Sequence, residues 1–434
     1  MLDFSDAIDP ENPTTFSSAG DRSGRLEVWR SGAGGGMLCT SLSLICRLPC
    51  LKELVLKELS PIWLLVFATF VPAAVLACLV LFPVRRWAER LGLLDRPGHR
   101  KVHTVPTPLG GGIGIWFAVV GTFGLGTAIV WACLQWPSLA AYLPPSVVDS
   151  LDGVWSRSGE LWGVLFAGTV LAVLGLVDDR RGLSAWFRLA VQAGVAAAVV
   201  FGLGYSLTAF IPIPWLTKLL SVIWIVALIN SFNMLDNMDA LSGGVAAIVA
   251  GMLGIVMLLT PDPDSGQPQL LVAGLLFVVS GALVGFLWHN RPPAKIFMGD
   301  SGSYLVGFLV AVATLLATYA GYQESSRPHA VLAPLCVMAV PLYDMSTVLW
   351  IRIREGRSPF EGDKSHFSHR LVDLGLSKIQ AVLTIHLLTL TCGLAAILLA
   401  FVTPAGSLLL VGIVLCMLTL IVILESTGWR KNDL

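Results

Sequence analysis

KLLSVIWIVALINSFNMLDNMDALSGGVAAIVAGMLGIVMLL, residues 218–259, sets two apolar runs around a polar centre. Each run approaches the roughly 20 residues with which an α-helix crosses a bilayer. The centre, residues 230–244, carries three asparagines and two aspartates. Such groups are costly at a membrane boundary unless they are paired, hydrated or metal-bound. The runs speak to the fold, and the interruption speaks to function.

Working outward, the apolar runs recur along the whole chain. Of 434 residues, 55% are hydrophobic and 13% are charged, with a mean hydropathy of +0.78. A soluble domain carries about 25% charged residues. A water-soluble globule is therefore excluded, and an all-α polytopic membrane protein is expected, a bundle of about eleven transmembrane helices. The predicted spans are 61–83, 110–134, 160–177, 185–204, 212–229, 242–260, 269–288, 303–321, 329–350, 379–401 and 404–425. Three regions result: an N-terminal extension over 1–60, the membrane domain over 61–425 and a tail over 426–434.

The extension is rich in Gly, Ser and acidic residues up to about residue 36 and lacks the basic start and following apolar core of a signal peptide. Its composition suits disorder, and Met37 is an alternative start. Residues 51–60, LKELVLKELS, read as a short amphipathic surface helix. The eight cysteines, Cys39, Cys46, Cys50, Cys78, Cys133, Cys336, Cys392 and Cys416, form no CxxC pair, so neither disulfides nor a zinc site is expected.

The net charge of zero hides an asymmetry. Loops on one side of the spans carry nineteen lysines and arginines, and those on the other carry only Arg157 and Arg327, leaving the extension aside. The positive-inside rule makes the basic side cytoplasmic. The N-terminus is then outside and the C-terminus inside, although six basic residues in the extension fit that poorly. Under this topology Asp95, Arg100, Lys101, His103, Asp178, Asp179, Asn230, Asn233, Asp236, Asp239, Asp300, His366 and His369 all fall on the cytoplasmic side.

Asp236 and Asp239 are three residues apart, so a continuous helix would put them on one face, with Asn233 one turn back. Hard oxygen ligands at that spacing suit Mg²⁺. The basic loops offer charge to a phosphorylated ligand, and Gly110, Gly111, Gly112, Gly299 and Gly302 allow close backbone approach. Together these features point to phosphoryl transfer on a membrane-embedded substrate. Each motif alone also has a plain reading: helix caps for Asp236, Asp239 and Asp300, a polar turn for Asp178 and Asp179, solvated loop residues for His366 and His369. Their convergence on one face is what capping does not explain.

Five segments then carry a family likeness: DRPGHRKVHTVPTPLGGG (95–112), GLVDDRRGLSAWFRLAVQ (175–192), NSFNMLDNMDALSGG (230–244), KIFMGDSGSYLVGF (295–308) and RSPFEGDKSHFSHRL (357–371). In order and spacing the chain resembles the polyprenyl-phosphate N-acetylhexosamine-1-phosphate transferases over roughly residues 61–425. The resemblance implies a Mg²⁺-dependent transfer, with Mn²⁺ as an alternative ion. A HexNAc-1-phosphate would pass from a UDP-sugar to undecaprenyl phosphate at the cytoplasmic face of the bacterial inner membrane, releasing UMP. It implies Asp300 and Asp236 as metal ligands, Asp178 and Asp179 near the lipid phosphate, and Asn233, Asp236 and Asp239 near metal and nucleotide. It implies His366, His369 and Arg370 as contacts to the sugar nucleotide, with Lys101 and His103 as further substrate-binding residues. Partners would be the lipid, the nucleotide sugar and the bilayer, with a homodimer allowed and no nucleic acid.

Three positions depart from the family pattern: Ser368 replaces the middle histidine of H-x-H-H, and Asn237 and Ala240 replace glycines. The loop 357–371 is nearer to GlcNAc-1-phosphate transferases than to the UDP-MurNAc-pentapeptide enzyme, which favours UDP-GlcNAc. Two rivals remain, a secondary transporter and an inactive relative.

Overall fold

A computed structural model describes residues 48–95, 106–207, 213–262, 266, 268–317, 328–362 and 365–432. The chain divides into two compact units, Met1–Leu56 and Lys57–Leu434. Only residues 48–56 of the first are described, and they are helical. The expected disorder of residues 1–36, and Lys101 and His103, lie outside the described residues.

The second unit is an α-helical bundle. Its long helices are the part of α1 (Leu48–Trp87) from Lys57 onward, α2 (Gly111–Gln135), α3 (Leu151–Arg181), α4 (Ala185–Ala197), α5 (Pro214–Leu235), α6 (Leu241–Leu259), α7 (Leu270–Asn290) and α8 (Gly299–Leu316). They are followed by the short α9 (Ala333–Val337), α10 (Ala339–Arg354), α11 (Phe367–Asp373), α12 (Lys378–Leu399) and α13 (Pro404–Asn432). Among the described residues ten helices are long and apolar enough to cross a membrane, or eleven when one bent pair counts as a single span. That pair is His329–Val337 with Ala339–Arg354, bent by 63°. Pro341 has no N–H to offer the carbonyl of Val337, so the helical ladder is interrupted there.

Three expectations need correction. The third span starts at Leu151 instead of 160, because the polar stretch LDGVWSRSG extends the helix before its apolar part begins. Residues 51–60 fall within α1 and form no separate helix. The fifth span continues to Leu235, so Asn230 and Asn233 sit in its last turns.

Helices α7 and α8 are almost wholly enclosed. Helix α8 packs on α3 and α5, while α6 packs on α7 and α12. The N-terminus of α8 is gripped most tightly. A Cβ on Gly175 of α3 would lie 2.4 Å from the carbonyl of Asp300, and one on Gly112 of α2 would lie 2.2 Å from Ser301 Oγ. Small residues let helix backbones approach this closely. A two-stranded antiparallel hairpin, β1 (Leu94–Asp95) with β2 (Thr107–Pro108), borders the same end. Its strand β2 accepts from Phe297 N–H through Pro108 O at 2.9 Å.

Candidate active site

Helix α3 ends at Gly182, whose φ of +65° is the left-handed conformation that glycine adopts without strain. The last turns before it carry both aspartates. Asp178 is buried, and its Oδ1 accepts from Leu183 N–H at 2.6 Å. Its Oδ2 accepts from Arg188 Nη1 at 2.7 Å and from Tyr304 Oη at 3.1 Å. Arg188 is placed by α4, which begins just before it with Ser184 capping Phe187 N–H.

Asp179 turns the other way and caps α8 from a different helix. Its Oδ1 accepts from Asp300 N–H at 3.0 Å and its Oδ2 from Ser301 N–H at 3.4 Å. Gly299 is required on two counts: its φ is +71°, and a Cβ there would stand 2.6 Å from Asp179 Oδ2. The capped end presents Asp300. Its Oδ1 accepts from Asn233 Nδ2 at 2.7 Å, while Tyr304 Oη lies 3.4 Å and Arg188 Nη1 3.6 Å from its Oδ2.

Asp236 and Asp239 do not share a helix face. Helix α5 stops at Leu235, and Asp236 is its non-helical C-cap, with φ −80° and ψ 60°. The following turn carries Ala240 into the left-handed region, at φ 61°. The two carboxylates then diverge. Asp239 Oδ2 accepts from Ala294 N–H at 2.9 Å, whereas Asp236 is held by Gly299 N–H. Some of the Asp236 residue surface is accessible, yet its carboxyl is deeply enclosed. Burial, and then the neighbouring charges of Asp179 and Asp239, push its pKa up to about 7, against the opposing Gly299 hydrogen bond.

The histidine segment approaches from α11. His366 precedes that helix, and its Nδ1 lies 3.0 Å from Oδ2 of Asp344 on α10. Ser368 is buried and donates to Asn237 Oδ1 at 2.5 Å. The segment is thereby joined to the aspartate turn. Arg370 is buried too. Its guanidinium lies 3.1 Å from Glu425 Oε2 through Nε, bonds Thr347 Oγ1 at 2.9 Å and donates to the Ser365 carbonyl. The rings of His366 and His369 are 6.4 Å apart.

Residues 161–318 match the model of glycosyl transferase family 4. The chain is 30% identical over 364 residues to a probable undecaprenyl-phosphate N-acetylglucosaminyl 1-phosphate transferase of Bacillus subtilis, covering 82% of this chain and 90% of that one. It is 34% identical over 335 residues to a decaprenyl-phosphate N-acetylglucosaminephosphotransferase of Mycobacterium tuberculosis, covering 73% and 78%. With the undecaprenyl-phosphate alpha-N-acetylglucosaminyl 1-phosphate transferase of Escherichia coli it shares 30% over 330 residues, again covering 73% and 78%.

The chain belongs to the polyprenyl-phosphate N-acetylhexosamine-1-phosphate transferase family. With its apolar helices, that membership makes it a multi-pass protein of the bacterial inner membrane.

Within this transferase fold the polar end of the bundle unites Asp178, Asp179, Asn233, Asp236 and Asp300 around the start of α8. Asp239 attaches to the adjoining loop. His366, His369 and Arg370 form a second group, tied to the first through Ser368. Arg188, Tyr304, Asp344 and Glu425 are members of these networks that motif reading passed over. For Asp344 and Glu425 a signal existed, since an acid within an apolar span is a functional candidate by default. Tyr304 lies one turn beyond Asp300 on α8, which the GDSGSY spacing contained.

Proposed function

We propose that this protein transfers GlcNAc-1-phosphate from UDP-GlcNAc to undecaprenyl phosphate, releasing UMP, and so starts a cell-envelope polysaccharide at the cytoplasmic face. The reading rests above all on one observation, the convergence of Asp178, Asp179 and Asp300 with Arg188 at the N-terminus of α8. The printed names of the three relatives support GlcNAc-1-phosphate transfer and a polyprenyl phosphate acceptor. The nineteen basic residues on one side support the cytoplasmic orientation.

The site suits Mg²⁺ in the manner usual for phosphate enzymes. Among the described residues no three His, Cys, Asp or Glu side chains form a closed metal cage. Mg²⁺ needs none, because it takes one or two carboxylates together with water and substrate phosphate oxygens. Burial lifts the Asp236 pKa most, and the neighbouring charges of Asp179 and Asp239 add to it, a repulsion that a cation would relieve. Asp300 and Asp236 would hold the ion. When bound, it would neutralise charge on the diphosphate and on the departing UMP.

In the reaction an oxygen of the lipid phosphate forms a bond to the phosphorus that carries the sugar. The bond from that phosphorus to UMP breaks, and UMP leaves with the electron pair. A phosphate monoester has its second pKa at roughly 6, so the acceptor is already a nucleophile near neutral pH. The protein's task is then positioning and charge neutralisation more than proton removal. Asp178 orients the Arg188 guanidinium, which offers a cation to the phosphates. Asp179 fixes the start of α8 and so the place of Asp300. Asn233 holds the Asp300 carboxylate in one orientation. His366 and His369 contact the nucleotide sugar, and Arg370 anchors their segment through Glu425.

The test is identification of the lipid product by mass spectrometry after incubation with undecaprenyl phosphate and a series of UDP-HexNAc donors. Undecaprenyl-diphosphate-GlcNAc is expected. A product only from another donor would keep the reaction and change the sugar, and no lipid product from any donor would refute the reading.

A further inference from the structure

Asp344 is fully buried, at 0% side-chain exposure, and lies in α10 just beyond the 63° bend. A carboxylate in such surroundings is expensive unless its oxygens are satisfied. Here both are, and by two consecutive residues. Oδ1 accepts from Phe367 N–H at 2.6 Å, and Oδ2 meets His366 Nδ1 at 3.0 Å. The Phe367 bond caps the start of α11, which a structural residue would also do. The His366 bond has no such explanation, because it fixes the ring of a side chain that carries no backbone load.

We infer that Asp344 is the positioning residue for His366, holding its imidazole with the proton on Nδ1 and leaving Nε2 as the ring nitrogen for a ligand. An ionised carboxylate only accepts, so the shared proton belongs to Nδ1. The hydrogen bond made by one ring nitrogen sets the state and direction of the other. Neighbouring residues on α10 hold the rest of the segment in the same frame. The Tyr343 ring packs edge-on against Phe367 with centroids 5.4 Å apart, and Thr347 Oγ1 accepts from Arg370 at 2.9 Å. Tyr343 Oη also donates to Glu425 Oε2 at 2.8 Å, the carboxylate that Arg370 meets. The broken span thus acts as a rigid mount for the His366–Arg370 segment. The ligand is the anionic or hydrogen-bonding part of the nucleotide sugar, an assignment that rests on the function proposed above.

The experiment is a double-mutant cycle on the full-length protein in detergent or lipid, with thermal unfolding as the check on folding. Asp344→Asn is expected to lower kcat/KM for UDP-GlcNAc by about tenfold or more. In the His366→Ala background the same change is expected to act within about twofold. Equal losses in both backgrounds would overturn the inference, as would a silent His366→Ala. Should Asp344→Asn not fold, Asp344→Glu carries the same comparison. A second readout needs no turnover: ring-nitrogen NMR of isotope-labelled histidine, with the His366 signal identified by its loss in His366→Ala. A protonated Nδ1 that changes in the Asp344 variant is expected, and an unprotonated Nδ1 in the wild-type protein would refute the inference even if UMP release fails. Active enzyme with an additive cycle would sink the role of Asp344 while leaving the proposed reaction standing.

Discussion

Asp300 N–H donates to Asp179 Oδ1 at 3.0 Å, so the aspartate of one helix caps the helix that bears the other. Two charged residues 121 positions apart in the chain are thereby set in fixed relation. Asp179→Ala should remove the cap, lowering stability by about 0.5–2 kcal/mol, and should displace Asp300. Thermal unfolding together with UMP release checks both effects. A variant of unchanged stability with full activity would show that Asp179 neither caps nor positions.

Asp236 binds a proton up to about pH 7, and a cation needs the ionised form. Lowering the pH through 7 therefore places a proton in competition with Mg²⁺. Apparent Mg²⁺ affinity should weaken as pH falls from about 8 to 6 and level off above about 8. Asp236→Asn should bind more weakly and lose that pH dependence. Titrating activity against Mg²⁺ at several pH values measures it, and a flat profile in the wild-type protein would remove Asp236 from the ion.

Ala240 holds a φ of 61°, where its Cβ crowds the backbone. Ala240→Gly should relieve about 1 kcal/mol of strain, offset in part by the greater freedom of the unfolded chain. A small rise in unfolding temperature with unchanged activity is expected. The backbone bonds of this residue to Asn290 and His386, at 2.8 Å and 3.2 Å, survive the change, so a fall would mean that the freedom gained by the unfolded chain outweighs the strain relieved.

Ser368 and Asn237 bond each other at 2.5 Å, and both stand where the sequence departs from the family pattern. Removal of either should loosen the contact between the histidine segment and the aspartate turn. Ser368→Ala and Asn237→Ala are each expected to raise KM for the sugar nucleotide by severalfold. The double variant should be little worse than either, with a coupling of about 1 kcal/mol. Additive losses would show that the two side chains act separately.

The spans were legible because bilayer physics writes them as long apolar runs, and of the ten that appear as single helices among the described residues nine lie within about six residues of the expected limits. The start of α3 was not, since Leu151–Gly159 is polar and carries no hydropathy signal. The carboxylates could be picked out as unusual, but their grouping could not. A helical spacing linked Asp236 to Asp239, but the helix stops at Leu235 and the non-helical backbone from Asp236 onward parts them. Arg188 and Tyr304 reach Asp178 from 10 and 126 residues away, contacts that no local pattern encodes. Arg370 read as a substrate contact from its motif alone. Only the tertiary fold reveals Glu425 beside it.

The most direct test is UMP release by the purified protein supplied with undecaprenyl phosphate, UDP-GlcNAc and Mg²⁺. UMP should form, and chelation by EDTA or the change Asp300→Asn should abolish it while the variant remains folded. Release of UMP that survives both treatments, or none from folded wild-type protein with any UDP-HexNAc donor, would contradict the account.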